Sequence, residues 1–161
     1  MKKLKWILPL LVLAVMLGGC PYQSEQTLDK PSIKVNNALI GRWESDTTSA
    51  ETYLISKDDE FTYKIEKHGK EVKDVASYKA FVSKVDDDNF LNLWEDNGLE
   101  PISHYFYKLE MGKNNSKVSL IPVTENITEV FKTTEDLKAF FRKYKGLSFF
   151  YEKDVLVLTK H

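Results

Sequence analysis

The chain holds one cysteine, Cys20, among 161 residues, so no disulfide framework can staple it. It has two arginines, Arg42 and Arg142, and a formal net charge of −1. A nucleic-acid partner would call for a basic face, which this balance does not supply. The three histidines, His68, His104 and His161, stand far apart without a second His or Cys at ligand spacing, so no metal site is expected. Asp86-Asp87-Asp88 is followed by Phe90 and Leu91, where a calcium loop needs an oxygen ligand and a glycine; it reads as a solvated turn. No serine sits in a Gly-x-Ser-x-Gly elbow, and no phosphate loop or dinucleotide fingerprint occurs. The carboxylates are scattered, and nothing in the sequence pairs Glu95, Asp96 or Glu100 with a partner. Catalysis therefore has no support, and no cofactor is expected. No apolar run reaches the roughly 20 residues that span a bilayer.

What is present begins at the amino terminus. Lys2, Lys3 and Lys5 precede the apolar run Trp6 to Leu17, which only Pro9 interrupts. A charged start, a short apolar middle and small residues at the end describe a secretory signal, here residues 1–19. Leu17-Gly18-Gly19-Cys20 follows directly. This stretch resembles the lipobox of bacterial lipoproteins: an aliphatic residue, two small residues and Cys. The resemblance implies cleavage before Cys20 and acylation of that residue by diacylglyceryl and palmitate-type chains. Each buried methylene contributes about 0.8 kcal/mol, so two or three chains would hold the protein on a membrane. Pro21, rather than Asp, follows the cysteine, which by the same resemblance points to the periplasmic face of the outer membrane.

Residues 1–19 carry three lysines and no acid, so the rest of the chain holds 20 basic against 24 acidic residues. Residues 20–36 comprise the lipidated cysteine and a polar stretch with no apolar period, which predicts a flexible tether. Its sixteen residues from Pro21 to Asn36 would reach about 22 Å. Residues 37–161 are the size of one domain.

Within that domain the apolar residues alternate. Phe61, Tyr63 and Ile65 share one face of a predicted strand, as do Tyr105, Tyr107, Leu109 and Met111 in another, with Val118 and Leu120 in the next. Turn chemistry falls at 57–60, 67–70, 86–89 and 112–115, the punctuation of an antiparallel meander. Leu137, Phe140, Phe141 and Tyr144 form a helical stripe, with Thr133 or Thr134 as cap, Glu135 and Asp136 in the first turn, and Gly146 as the stop. Val155 to Thr159 reads as a last strand, apolar on both faces, whose pairing with the first would close a barrel. Phe149, Phe150 and Tyr151 are consecutive, so one of them must face away from the others.

Gly41-Arg42-Trp43 opens the domain and resembles the first-strand motif of the calycins, the lipocalin and fatty-acid-binding superfamily. The resemblance implies an all-β, antiparallel lipocalin-like barrel of about eight strands, here with one amphipathic helix before the last strand. It implies that Trp43 is a structural plug at the closed end, with a late arginine stacked upon it. The only late arginine, Arg142, falls on the polar face of the predicted helix. Tyr53, Phe61, Tyr63, Tyr78, Tyr105 and Tyr107 are the candidate walls of a binding pocket, apolar surfaces with hydroxyls to orient a ligand. Two functions stay open. One is a binding module for a small apolar or amphipathic ligand; the other is an envelope lipoprotein with a solid barrel that engages a protein partner.

Overall fold

Residues 21–46, 51–69, 71 and 75–161 are described in the computed structural model, and the apolar run with Cys20 lies outside them. Nine strands form one antiparallel sheet: β1 (Gln23–Ser24), β2 (Gly41–Ser45), β3 (Thr52–Lys57), β4 (Tyr63–His68), β5 (Val75–Val85), β6 (Asp88–Glu95), β7 (His104–Met111), β8 (Lys117–Pro122) and β9 (Leu156–Lys160). From β2 to β9 each strand pairs with the next, and β9 returns to pair with β2. Eight strands thus close a barrel, which leaves none of the eight as an open edge. The closing register sets Trp43 opposite Lys160 and Ser45 opposite Leu158. β1 lies outside that circuit and extends the sheet beside the start of β7.

Alternation assigns two faces to every strand. Tyr105, Tyr107 and Leu109 of β7 point inward with Leu91 and Leu93 of β6. Their neighbours Phe106 and Phe90 point outward, yet both are fully buried. They are covered by α1 (Thr134–Tyr144), whose Leu137 and Phe141 pack onto the outer face of the barrel. The Phe141 ring meets those of Phe90, Phe106 and Phe150 at 5.3, 5.2 and 5.1 Å between centroids. Thr133 caps this helix by accepting the Asp136 N–H, and Lys145 ends it with its own N–H on the Phe141 carbonyl. Gly146 comes one residue later without a positive φ, so the stop is not a left-handed glycine cap. In the aromatic run that follows, Phe150 turns into this outer core while Phe149 faces solvent, 68% exposed.

The segment 21–36 departs from the tether expected of its composition. Tyr22 is buried, its N–H donates to the Val123 carbonyl and its hydroxyl to the Glu129 carbonyl. Leu28 is fully buried, and its N–H donates to Oδ1 of Asn92, an outward-facing residue of β6 that also donates to Ser83 Oγ. Asp29 pairs with Lys138 of the helix at 2.6 Å, and the Val35 N–H reaches the Glu60 carbonyl. These residues form a strap along the outside of the barrel. Two apolar anchors and partners far away in sequence hold it, which polarity alone does not reveal.

Candidate functional site

The barrel has one closed and one open end. At the closed end, the turn at Asn37–Leu39 folds across the interior. Trp43, fully buried, donates its indole N–H to the Leu39 carbonyl at 2.8 Å. The cation on its ring is Lys160 of the last strand, with Nζ 5.3 Å from the centroid and donating to the Ala38 carbonyl at 2.8 Å. Arg142 is elsewhere, paired with Asp86 at 3.0 Å. Gly41 has φ +135°, and a Cβ there would stand 3.0 Å from Cε of Lys160, so both backbone and neighbour favour glycine. The Gly-x-Trp pattern thus has a local cause: the lysine stem crosses where a side chain would stand.

Above this floor lies a cavity of about 290 Å³. Its deep walls, including Ile55, Ile65, Leu109, Val118 and Leu158, are buried. Toward the other end, Tyr78, Leu93, Tyr105, Tyr107, Leu120 and Leu156 also line it but keep part of their surface in solvent. That gradient marks the open end. Lys67, Glu95 and Pro21 form its rim.

Five of the six candidate pocket residues meet here: Tyr53, Tyr63, Tyr78, Tyr105 and Tyr107. Phe61 does not join them. Asp59 Oδ1 accepts the N–H groups of Phe61 and Thr62, and the Asp58 N–H closes on the Thr62 carbonyl, so a turn occupies 58–62. β4 therefore begins at Tyr63, and the inward alternation stops short of Phe61.

Two polar clusters mark the floor and the rim of the cavity. Tyr63 accepts the Asn36 N–H on its hydroxyl at 2.7 Å, near the floor. At the rim, Glu51 takes Lys67 on one oxygen and the Tyr53 hydroxyl on the other, each at 2.8 Å. Burial works to raise the Glu51 pKa, but the hydrogen bonds from Lys67 and Tyr53 outweigh it and hold the carboxyl below its ordinary value. Tyr53 is pushed well above its ordinary value, by burial first and then by the adjoining Glu51 carboxylate. The rim therefore presents the Glu51 carboxylate bonded to Lys67 and to the un-ionised Tyr53 hydroxyl, beside a mainly apolar shaft.

Lys67, expected in a turn but lying in β4, and Glu95, expected only as a scattered carboxylate, were not among the candidate pocket residues, although a signal for them exists. Each ends an inward series, Tyr63-Ile65-Lys67 and Leu91-Leu93-Glu95. A charge at the inward position of a strand's last turn marks where a barrel meets water. Among the described residues no group of three His, Cys, Asp or Glu side chains could hold a metal, and no helix is long and apolar enough to cross a membrane. A comparison with protein-family models, curated proteins and solved structures finds no match to the chain.

Proposed function

We propose that this chain is a cell-envelope lipoprotein, anchored through lipid on Cys20, whose lipocalin-like barrel binds a small apolar or amphipathic ligand. The observation that carries the reading is the cavity of about 290 Å³, lined mainly by apolar side chains with a few tyrosines among them and a charged rim. Such a site suits a molecule with an apolar body and a hydrogen-bonding head, because few placed polar groups orient a ligand that burial retains. Trp43 beneath Lys160, at the floor, supports the lipocalin-like reading. The lipobox supports the anchor, with the periplasmic face of the outer membrane as its address, and no catalytic role is assigned.

A second reading, an envelope interaction protein working through its outer surface, draws on Val130 and Phe149, 90% and 68% exposed beside the helix. Native mass spectrometry separates the two. Residues 21–161, which keep the strap, are purified from a periplasmic expression host and weighed before and after denaturation. The binding reading expects an extra mass that denaturation removes. A bare chain, unchanged after incubation with a lipid extract, would sink it and turn attention to the outer surface. For the anchor, Cys20→Ala is expected to move the folded protein from the membrane to the soluble fraction.

A further inference from the structure

The strap brings the amino-terminal end of the described chain to the mouth of the barrel. Pro21 lines the cavity at its rim. It has little freedom to swing away, because Tyr22 is buried with both N–H and hydroxyl bonded, and Gln23 and Ser24 pair with Tyr105 and His104. Consecutive Cα atoms are about 3.8 Å apart, so an attachment through the residue before Pro21 would act at the mouth with no spacer.

The two ends of the barrel also differ in what their connections show to solvent, although the strap leaves Ile33 37% exposed next to Lys34 and Val35, which bond to Glu60 at the closed end. The closed-end turns carry Asp58, Asp59, Glu60, Asp86, Asp87, Lys113, Asn114 and Asn115. Around the mouth stand Leu99 in the β6–β7 connection, Val75 at the first position of β5 and Val155 just before β9, exposed by 70%, 50% and 38%. Single exposed apolar side chains are common on a water-facing surface, so these three carry weight only together with Pro21 at the same end. Glu51, Glu95, Asp96, Glu100 and Asp154 share this end with Lys67 and Lys153, so it is not a basic face. Attraction to anionic headgroups is therefore not what would bring it to a membrane, and a covalent anchor would have to supply the association.

We infer that the open end of the barrel is its membrane-facing end, seated on the bilayer with Leu99, Val75 and Val155 at the surface and the cavity mouth within reach of membrane acyl chains. The inference rests on reading Cys20 as the lipid anchor. It reverses what a flexible tether would imply: the domain is held by its mouth, close to the lipid, and not at arm's length in random orientation.

The test uses the full-length lipidated protein in phosphatidylethanolamine–phosphatidylglycerol vesicles that carry a nitroxide-labelled phospholipid as quencher. With Cys20 acylated, an introduced cysteine is the sole free thiol. Leu99→Cys and, at the closed end, Asn114→Cys are each labelled with an environment-sensitive fluorophore; both sites are exposed, and circular dichroism checks that the fold is kept. The expected result is a blue shift and strong quenching at position 99, with neither at position 114. Flotation of the vesicles reads the anchor independently. Protein that floats while its position-114 label is quenched as much as the other, or while neither is quenched, overturns the orientation and leaves the anchor standing. Protein that does not float removes the anchor reading and this inference together.

Discussion

The molecule has two apolar cores that share the strands β5 to β7 and differ in how they are filled. The outer core, between those strands and α1, packs Phe90, Phe106, Phe141, Phe150 and Leu137 with almost no exposure. The inner core, inside the barrel, is walled by side chains of similar size yet leaves a cavity of about 290 Å³ and an open end. A side chain facing a void has no partner atoms on that side and forgoes the dispersion contacts of a filled site. The same strands thus serve stability on one face and leave room for a ligand on the other.

Truncation should break this comparison most visibly on the outer side. Phe141→Ala is expected to cost about 3–5 kcal/mol and Leu137→Ala about 2–5 kcal/mol, because each would open a cavity in a packed cluster. Leu93→Ala, which removes a side chain that already borders a void and solvent, should cost less than about 2 kcal/mol. Urea unfolding of the three variants under one set of conditions measures the contrast. Equal losses for Leu137→Ala and Leu93→Ala would mean the cavity walls carry as much stability as the outer packing.

The parts of this arrangement that were legible in the sequence are those set by local period. The alternation of β7 and the stripe of α1 follow from spacings of two and of three or four residues, the cap was narrowed to Thr133 or Thr134, and the pairing of the last strand with the first followed from a last strand apolar on both faces. The strap was illegible because its partners are distant: Leu28 finds Asn92 sixty-four positions away, and only two of its side chains are buried deeply. The cation over Trp43 was missed because the resemblance specifies arginine, while the closing register delivers Lys160. The cavity itself could not be read from composition. Its inward residues are mostly large, and whether they meet in the middle depends on how eight strands tilt and stagger, which no single strand encodes.

Asn92 offers a finer test, since it joins the outer core to the strap. It accepts the Leu28 N–H and donates to Ser83, and all three residues are buried. Asn92→Ala leaves a buried donor unpaired, so a loss of about 1–3 kcal/mol is expected. Hydrogen exchange should rise in residues 21–29 and stay unchanged in β3 and β4. Uniform acceleration across the barrel would mean that the strap is part of the global fold and not a separately detachable layer.

On the inner side the informative change is an addition. Leu93→Trp places an indole into the cavity, and because space is already there, stability should stay within about 1 kcal/mol of the parent. Any bound mass seen in native spectrometry should disappear. Retention of that mass by the filled variant would move the ligand out of the barrel, whatever its chemistry.

The smallest effect concerns how the helix end is tied to the barrel. Asp88, at the start of β6, takes Lys145 at 2.5 Å on one oxygen and Lys108 at 3.2 Å on the other. The Lys145 hydrogen bond holds the Asp88 carboxyl below its ordinary value; burial opposes this, and Lys108 adds to it. A carboxyl with a lower pKa in the folded state gives stability that is fully present above its unfolded value, about 3.9, and lost as pH falls through the folded value. The group is partly exposed, so screening keeps the contribution small. Asp88→Asn should cost about 1 kcal/mol or less at neutral pH. The gap between variant and parent should close as pH drops below about 4, the parent losing stability that the variant never had. A gap that persisted unchanged down to roughly pH 2 would instead assign the tie to packing of the Lys145 stem, because a protonated Asp88 no longer carries the charge that the linkage requires.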